Sequence, residues 1–348
     1  MLKLKVIALV SILFVSVILY RQMTQDEGYV ILYSSDQEPL DLMEEEKRET
    51  YRVAMVPKQV DIHYFNSVEM GAAEAAADLG VELIYRGPVI VDSRMQIEII
   101  RELIDEGVDL LAISVIDPDG IQDVIVEAHK KGIEVITWDS DTSSHLRTFF
   151  INMVNPETLG RHLMDTMAWT INESGDFAIL GGSTGSANIR EWLNWIQVQH
   201  EEFYPNMNLI DIVTTDDDPV KAYEEAVSLI EENPNLRGVI GTSSVGPPAA
   251  AQAVSDLGLS GDIHVVGLSS PVEMRQYLLD GSAQMTTLWS PKKLGYLTIS
   301  LAHQLLEEEL PTDLQNIVNV GRIRFDGDTV IMGEPIDFTK DNVDQYDF

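Results

Sequence analysis

The stretch Gly132-Ile-Glu-Val-Ile-Thr-Trp-Asp-Ser-Asp141 contains the signals that decide the fold. Gly132 falls where a preceding helix would end, because glycine adopts the left-handed conformation of helix C-termini without steric cost. Glu134–Trp138 is then a short apolar run of strand length, and the two carboxylates of Asp139 and Asp141 follow it. Ligands of open parallel sheets bind outside the carboxyl ends of the strands, so this stretch predicts both a fold and a site.

The same alternation of strand and helix extends on both sides of this stretch. Apolar runs at 53–56, 81–85 and 110–115 alternate with helical segments at 67–79, 94–106 and 120–131, and Gly80 and Gly107 again mark helix ends. After residue 150 the series restarts, with strands at 177–181, 209–215, 238–242, 264–268 and 285–289. Such alternation indicates parallel strands joined by right-handed crossovers. We therefore predict an α/β fold of two doubly wound parallel-sheet lobes with a ligand cleft between them.

The composition excludes several classes of function. The formal net charge of −34 argues against a nucleic-acid partner, since phosphate binding needs clustered Lys and Arg. The chain has no cysteine, which excludes thiol catalysis, disulfides and Cys-bound zinc. Its seven histidines lack paired metal-ligand spacing, so neither a metal nor a cofactor is predicted.

No motif of a catalytic protein stands out in the chain. There is no Walker loop, and the one match to the letters G-x-S-x-G is the glycine-rich turn described next. Gly181-Gly-Ser-Thr-Gly185 follows a strand and could cradle an anion, but it lacks the lysine of a phosphate loop, and a simple turn is the commoner use. The sequence therefore favours a binding protein over an enzyme.

The N-terminus predicts export. Lys3 and Lys5 precede the apolar run Val6–Tyr20, which has the length of the hydrophobic region of a secretory signal. No small-x-small cleavage site follows, so residues 1–20 are either a signal peptide or an uncleaved signal-anchor. Residues 21–50, with nine acidic and three basic residues, are typical of a solvated acidic tether.

Polar and aromatic side chains near strand ends predict the ligand site. Asp139 and Asp141 would accept hydrogen bonds from hydroxyls, and the Trp138 ring would cover the apolar side of a sugar, although a strand-end Asp often only caps a turn. The other candidates would also lie in the cleft. Lys58 is a possible donor, and the rings of Tyr64 and Phe65 could stack on the ligand or could simply enter the core. Asn188 and Arg190 suit vicinal diols, Pro248 and Ala250 stand at a helix start, and Trp289 could form a second apolar wall.

Several of these segments together carry a family resemblance. They are Val56-Pro-Lys58, Asp117-Pro-Asp-Gly120, Thr137-Trp-Asp-Ser-Asp-Thr142, Pro248-Ala-Ala-Ala-Gln252 and the closing stretch Lys340–Phe348. From about residue 51 to 348 the chain resembles the type I periplasmic sugar-binding proteins of ABC transporters, and most of all their autoinducer-2 and rhamnose binders. The resemblance implies the periplasmic binding protein-like I fold. It also implies pocket roles for Lys58, Asp139, Pro248 and Ala250.

One departure from the resemblance concerns the ligand. The autoinducer-2 binders carry an Asp-Gln pair where this chain has Asn188 and Ile189. A pocket built to hydrogen-bond a hydroxyl discriminates strongly once the partner group is lost. The resemblance therefore implies a related neutral sugar, such as a deoxyhexose or a pentose, in place of autoinducer-2 itself.

The resemblance also implies a domain organisation and a role. The N-terminal lobe would comprise 51–153 and about 290–315, and the C-terminal lobe 154–289 and about 316–348. We expect an exported monomer that closes over its ligand and delivers it to the permease of an ABC-type importer. One alternative is a membrane-tethered sugar sensor that signals to a kinase or a chemoreceptor, which an anchored N-terminus would suit. The other is an enzyme on the same scaffold, which would need a buried acid–base pair near Asp139.

Overall fold

The computed structural model of the protein describes residues 50–183 and 185–348. In these residues the strands are β1 (Arg52–Val56), β2 (Glu82–Tyr85), β3 (Leu110–Ile113), β4 (Glu134–Trp138), β5 (Phe150–Asn152), β6 (Gly175–Gly181), β7 (Met207–Thr214), β8 (Leu236–Gly241), β9 (His264–Leu268), β10 (Met285–Leu288), β11 (Asn316–Ile317), β12 (Gly321–Arg322), β13 (Arg324–Asp326), β14 (Thr329–Ile331) and β15 (Ile336–Phe338). The α-helices are α1 (His63–Leu79), α2 (Ser93–Glu106), α3 (Gln122–Lys130), α4 (Pro156–Thr170), α5 (Ala187–Phe203), α6 (Pro219–Glu232), α7 (Gly246–Asp256), α8 (Pro271–Asp280) and α9 (Pro291–Leu306).

Two sheets that share the topology of their five core strands organise the fold. The first sheet has the order β13-β14-β5-β4-β3-β1-β2, and the second has the order β15-β10-β9-β8-β6-β7. All neighbours are parallel except β13 with β14 and β10 with β15. The predicted α/β fold of two doubly wound lobes is therefore confirmed. In each lobe the strand order reverses beside the first strand, so the ligand crevices are expected next to β1 and β3 and next to β6 and β8.

Local sequence signals explain most of the element boundaries. Gly80 and Gly107, with φ of 70° and 71°, end α1 and α2 in the left-handed conformation, as predicted. The Asp92 carboxylate accepts hydrogen bonds from backbone N–H groups at the start of α2. Residues 53–56 of β1 and all of β3 are apolar and buried, because helices cover both sides of a parallel sheet.

Three short connections join the lobes: residues 153–155, 289–290 and 332–335. The second connection leads into α9, which returns to the first lobe and packs against α1. The two helices approach closely at Gly71 and Gly295. A Cβ atom at these positions would lie 1.8 Å from the Lys292 carbonyl oxygen and 1.9 Å from the Val68 carbonyl oxygen, respectively. Glycine at both positions therefore permits the contact that fixes α9 beside the first sheet.

The structure corrects the expected assignment of part of the C-terminal tail. Residues 316–348 were expected in the C-terminal lobe, but β14 pairs in parallel with β5 of the first sheet, and β13 pairs with β14. Only β15 joins the second sheet, beside β10. β13, β14 and β15 are three residues long each, too short for a periodicity that would assign them to a sheet from sequence.

The predicted signal segment and nearly all of the acidic tether fall on residues 1–49, outside the described residues. Their interpretation therefore remains a prediction. Among the helices that the structure describes, none has both the length and the apolar character needed to cross a membrane.

The second lobe should carry a pH-dependent contribution to stability from His162 on α4. Its Nε2 lies 2.8 Å from Asp337 Oδ1 on β15. This hydrogen bond raises the pKa of His162 above its ordinary value of 6.5, against the effect of burial. A raised folded-state pKa means that the contribution is complete below pH 6.5 and is lost as the pH rises through the folded-state pKa.

We therefore expect His162→Gln to lower the melting temperature at mildly acidic pH and to have little effect at alkaline pH. Thermal melts of both proteins across this pH range measure the difference. A difference that stays constant with pH would contradict the assignment.

Candidate ligand-binding site

A cavity of about 60 Å³ lies where the carboxyl ends of the two sheets face one another. This is several times the roughly 10–15 Å³ that one water molecule needs. Its polar lining comes from Lys58 and Asp139 in the first lobe and from Asn188, Asp217, Ser243 and Ser244 in the second. Its aromatic lining consists of Tyr64, Phe65, Trp192 and Trp289. The cavity thus combines a polar floor with apolar walls, as sites for small polar molecules do.

Asp139 is the most constrained residue of this floor. It directly follows β4 with φ of 60°, in the left-handed region that few residues other than Gly, Asn and Asp adopt. Its side chain is 3% exposed. Its carboxylate accepts hydrogen bonds from Ser114 Oγ (2.6 Å) and Tyr64 OH (3.2 Å), and it lies 3.3 Å from Lys58 Nζ. A buried carboxylate with three partners is held in one orientation before any ligand arrives.

Lys58 connects the floor to the second lobe. It follows β1, and its ammonium group donates to Asn188 Oδ1 over 3.4 Å as well as pairing with Asp139. Asn188 lies in the first turn of α5, so this chain of polar contacts crosses the cleft between the lobes. The contact from Lys58 to Asn188 therefore joins the two lobes across the cleft.

Gln96 positions the loops that carry these groups. Its side chain on α2 is 1% exposed. Its Nε2 donates to the carbonyl oxygens of Pro57 (3.2 Å) and Ser114 (2.8 Å), and its Oε1 accepts from the N–H of Ile116 (3.1 Å). One buried amide thus links the loop after β1 to the loop after β3, at the point where the strand order of the first sheet reverses.

The aromatic walls come from both lobes and from the connection between them. Trp289, which directly follows β10, donates from Nε1 to Tyr64 OH over 3.1 Å. The ring of Trp289 also lies 6.2 Å from the Tyr64 ring and 5.9 Å from the Trp192 ring, centroid to centroid. Burial and the charge of Asp139 raise the pKa of Tyr64 well above its ordinary value. Tyr64 therefore stays protonated and keeps donating to Asp139.

Six of the ten residues predicted for the site meet at this cavity: Lys58, Tyr64, Phe65, Asp139, Asn188 and Trp289. Arg190 lies instead on the exposed side of α5, where its guanidinium donates to the carbonyl oxygen of Gly185. Ala250 is fully buried in the core beneath α7, and the half-buried Pro248 in the first turn of that helix is not part of the lining. The cavity reaches the loop before this helix, at Ser243 and Ser244.

Asp141 and Trp138 have structural surroundings that differ from those predicted. The Asp141 carboxylate forms a two-pronged pair with Arg147, over 3.0 Å to Nε and 2.7 Å to Nη2, and it faces a neighbouring groove outside this cavity. Trp138 is fully buried, donates from Nε1 to the Ala112 carbonyl oxygen and packs edge-on against Phe65. Trp138 ends β4 and points into the core, whereas Asp139 lies beyond the strand with φ of 60°, and this turn of the backbone directs its carboxylate into the cavity.

Several lining residues were missed by the sequence analysis although the sequence marks them. Ser243 and Ser244 follow β8, and Asp217 follows β7 by three residues, the same criterion that identified Asp139. Ser114, which follows β3, does not line the cavity but donates to Asp139. Trp192 lies one helical turn after Asn188 and hence on the same face of α5. With Lys58 as its one lysine and Asp139 and Asp217 as its two aspartates, the described lining carries one net negative charge.

Comparison with known proteins gives consistent matches. Residues 53–310 match the family model described as periplasmic binding protein domain. The D-allose-binding periplasmic protein of Escherichia coli (strain K12) is 23% identical over 269 residues, which are 71% of this chain and 82% of that protein. A solute-binding protein of an ABC transporter from Clostridium phytofermentas, solved with bound L-rhamnose, is 26% identical with a TM-score of 0.81, over 85% of this chain and 98% of that one.

A second solved structure, LsrB from Clostridium saccharobutylicum in complex with AI-2, has a TM-score of 0.80 over 85% of this chain and all of its own length (100%). It is 23% identical to this chain, and at that identity the likeness concerns the fold. The arrangement of two lobes around a cleft is thus shared with solved structures that enclose small molecules.

Proposed function

The chain belongs to the periplasmic binding protein domain family, and we propose that it is an extracytoplasmic solute-binding protein for a neutral sugar. In this proposal the ligand occupies the cavity around Asp139 and is delivered to an ABC-type importer. The observation that carries the proposal is the chain of contacts Asp139–Lys58–Asn188, which crosses the cleft beneath aromatic walls. The hydroxyl groups of a sugar both donate and accept hydrogen bonds, and aromatic rings can cover the C–H faces of the sugar ring. A sugar therefore complements both the polar and the aromatic parts of this lining.

Closure of the lobes would couple binding to delivery. A ligand can favour the closed state only by the difference in its affinity for the closed and open states. Asp139 and Lys58 on one lobe and Asn188 and Trp192 on the other reach the same cavity, so a ligand gains its full set of contacts only when the lobes close. A receptor of this kind presents the importer with a surface that depends on occupancy.

The relatives support a sugar or a sugar-like ligand. The names of the relatives given above specify D-allose, L-rhamnose and AI-2. Ile189, which lines this cavity and is 3% exposed, offers no hydrogen bond where the autoinducer-2 binders are expected to carry a polar side chain. An apolar wall at this point suits the methyl group of a deoxyhexose, or a pentose, whose pyranose ring carries no hydroxymethyl group. We therefore place L-rhamnose and the pentoses ahead of AI-2 as ligands.

The test is a calorimetric titration of the full-length protein with L-rhamnose, D-ribose, D-arabinose, D-allose and AI-2. D-Gluconate serves as an anionic control, since the net negative lining should repel it. We expect saturable binding of at least one neutral sugar, tighter than that of AI-2, and no binding of D-gluconate. A protein that binds none of the four sugars would contradict the proposed function, and tight binding of AI-2 alone would contradict the proposed class of sugar.

A further inference from the structure

Two polar groups of the second lobe reach the cavity without a partner. Trp192 Nε1 and Ser243 Oγ are buried and make no hydrogen bond to any residue that the structure describes. Their side chains are 4% and 6% exposed, and both residues line the cavity. Buried polar groups in folded proteins are nearly always paired, and an unpaired one is unfavourable. The first lobe differs, because the Asp139 carboxylate already has three partners there.

A third group, the Asp217 carboxylate, belongs to a run of three aspartates with separate roles. Asp216 pairs with Lys221 Nζ over 2.7 Å. Asp218 accepts hydrogen bonds from the backbone N–H groups of Val220 and Lys221 and so caps α6. Asp217 lines the cavity, and no hydrogen bond or ion pair joins its carboxylate to another described residue. Of the three aspartates, Asp217 is therefore the one whose carboxylate has no hydrogen-bond or ion-pair partner in the described part of the chain.

The backbone around Asp217 is arranged to bring its carboxylate beside Ser243. Asp216 and Asp217 have φ of 53° and 58°, two successive residues in the left-handed region. Gly182 leaves the necessary space: a Cβ atom there would lie 2.5 Å from Asp217 Oδ1 and 2.9 Å from Ser243 Cβ. The left-handed backbone at Asp216 and Asp217 and the missing side chain at Gly182 thus occur together at the second-lobe wall of the cavity.

We propose that Trp192, Asp217 and Ser243 select the ligand by forming hydrogen bonds with its hydroxyl groups, a role that rests on the proposed function of this cavity. The indole N–H can only donate and the carboxylate can only accept, whereas the serine hydroxyl can do both. A ligand must therefore present an oxygen to Trp192 and an O–H to Asp217. Neighbouring hydroxyls of a neutral sugar meet both demands at once. A carboxylate or phosphate group meets the first but is repelled by Asp217.

The test uses the sugar that the wild-type protein binds most tightly in the titration above. Asp217→Asn and Trp192→Phe should each weaken binding by roughly 10- to 100-fold, the usual effect of losing a hydrogen bond to a charged or buried group. Ser243→Ala should have a smaller effect in the same direction. Gly182→Ala retains the Asp217 charge but displaces the carboxylate, so it should also weaken binding.

Asp216→Asn is the matched control, because it removes the same charge one residue earlier and outside the cavity. Its affinity should equal that of the wild type. A second measurement compares the sugar with its monodeoxy analogues. The wild type should discriminate against the analogue that lacks the hydroxyl read by Asp217, and Asp217→Asn should lose that discrimination, which a merely structural role would not affect. Circular dichroism checks that each variant is folded.

The outcomes separate this inference from the proposed function. A wild-type protein that binds a sugar, together with Asp217→Asn and Trp192→Phe variants of unchanged affinity and unchanged ranking of deoxy analogues, would overturn the selection role and leave the proposed function standing. A wild-type protein that binds no sugar would overturn both.

Discussion

Asp139→Asn should weaken sugar binding by at least roughly 100-fold, the upper part of the range for a charged hydrogen bond. Asparagine has the same shape and tolerates the left-handed backbone at this position, where φ is 60°. What it loses is the charge that Lys58 pairs with and one of the two acceptors, Oδ1 for Tyr64 and Oδ2 for Ser114. Since the amide also brings a donor toward Lys58 or Tyr64, the floor of the cavity would rearrange. Calorimetry against the wild type measures the effect.

The neighbouring Asp141 provides a matched control for this variant. Its carboxylate is bound to Arg147, and it lies outside the cavity. Asp141→Asn should therefore lower the melting temperature while leaving sugar affinity within about twofold of the wild type, an energy below about 0.5 kcal/mol. A folded Asp139→Asn protein with wild-type affinity, or a loss of affinity confined to Asp141→Asn, would remove Asp139 from the site.

Lys58→Met should lower the free energy of unfolding by about 3 kcal/mol, because breaking a buried ion pair leaves one charge uncompensated. The side chains of Lys58 and Asp139 are 8% and 4% exposed, so water cannot replace the missing partner. The effect should lie at the low end of the usual range because Ser114 and Tyr64 still donate to Asp139. Urea unfolding at neutral pH measures it.

A double-mutant cycle isolates the pair. In the Lys58→Met background Asp139 no longer has an ion-pair partner, so adding Asp139→Asn should cost much less than it does in the wild type. The coupling free energy should exceed about 1 kcal/mol, well above the additive case. Strictly additive effects of the two substitutions on the free energy of unfolding would mean that the pair contributes nothing to the fold.

The sequence predicted the fold because each of its signals is local. Helix-ending glycines such as Gly80 and apolar runs such as Val53–Val56 alternate with a period that only parallel strands and crossover helices satisfy. The strand-end criterion likewise located Lys58 and Asp139, since the carboxyl ends of parallel strands meet at one edge of a sheet. Both inferences need only the order of residues along the chain.

The remaining site residues depend on distances that the order of residues does not contain. Asp141 is two residues from Asp139 but has Arg147 as a partner, and this pairing takes it out of the cavity. Trp138 lies beside Asp139 in sequence, but its ring is fully buried against Phe65 and is not part of the cavity lining. Ala250 faces the core because the helical period turns it away from the cleft. Choosing among neighbours in sequence required the side-chain directions that only the folded structure supplies.

A consistent use of the strand-end criterion would have found more of the second lobe. Ser243 follows β8 and Asp217 follows β7, just as Asp139 follows β4. Pro219 marks Asp218 as the residue that caps α6, but nothing in the sequence separates Asp217 from Asp216. The different contacts of the aspartates depend on the left-handed backbone at Asp216 and Asp217, and this backbone conformation is set by the tertiary structure. Aspartate tolerates that conformation without requiring it.

The most direct test of the central claim, that the cavity around Asp139 binds a neutral sugar between the lobes, is a crystal structure of the protein with its tightest-binding sugar. We expect one sugar ring in the cavity, with hydroxyls within hydrogen-bond distance of Asp139 on the first lobe and Asp217 on the second, and with Trp289 or Trp192 against its C–H face. A sugar bound elsewhere on the molecule, or one that contacts neither Asp139 nor Asp217, would contradict the account.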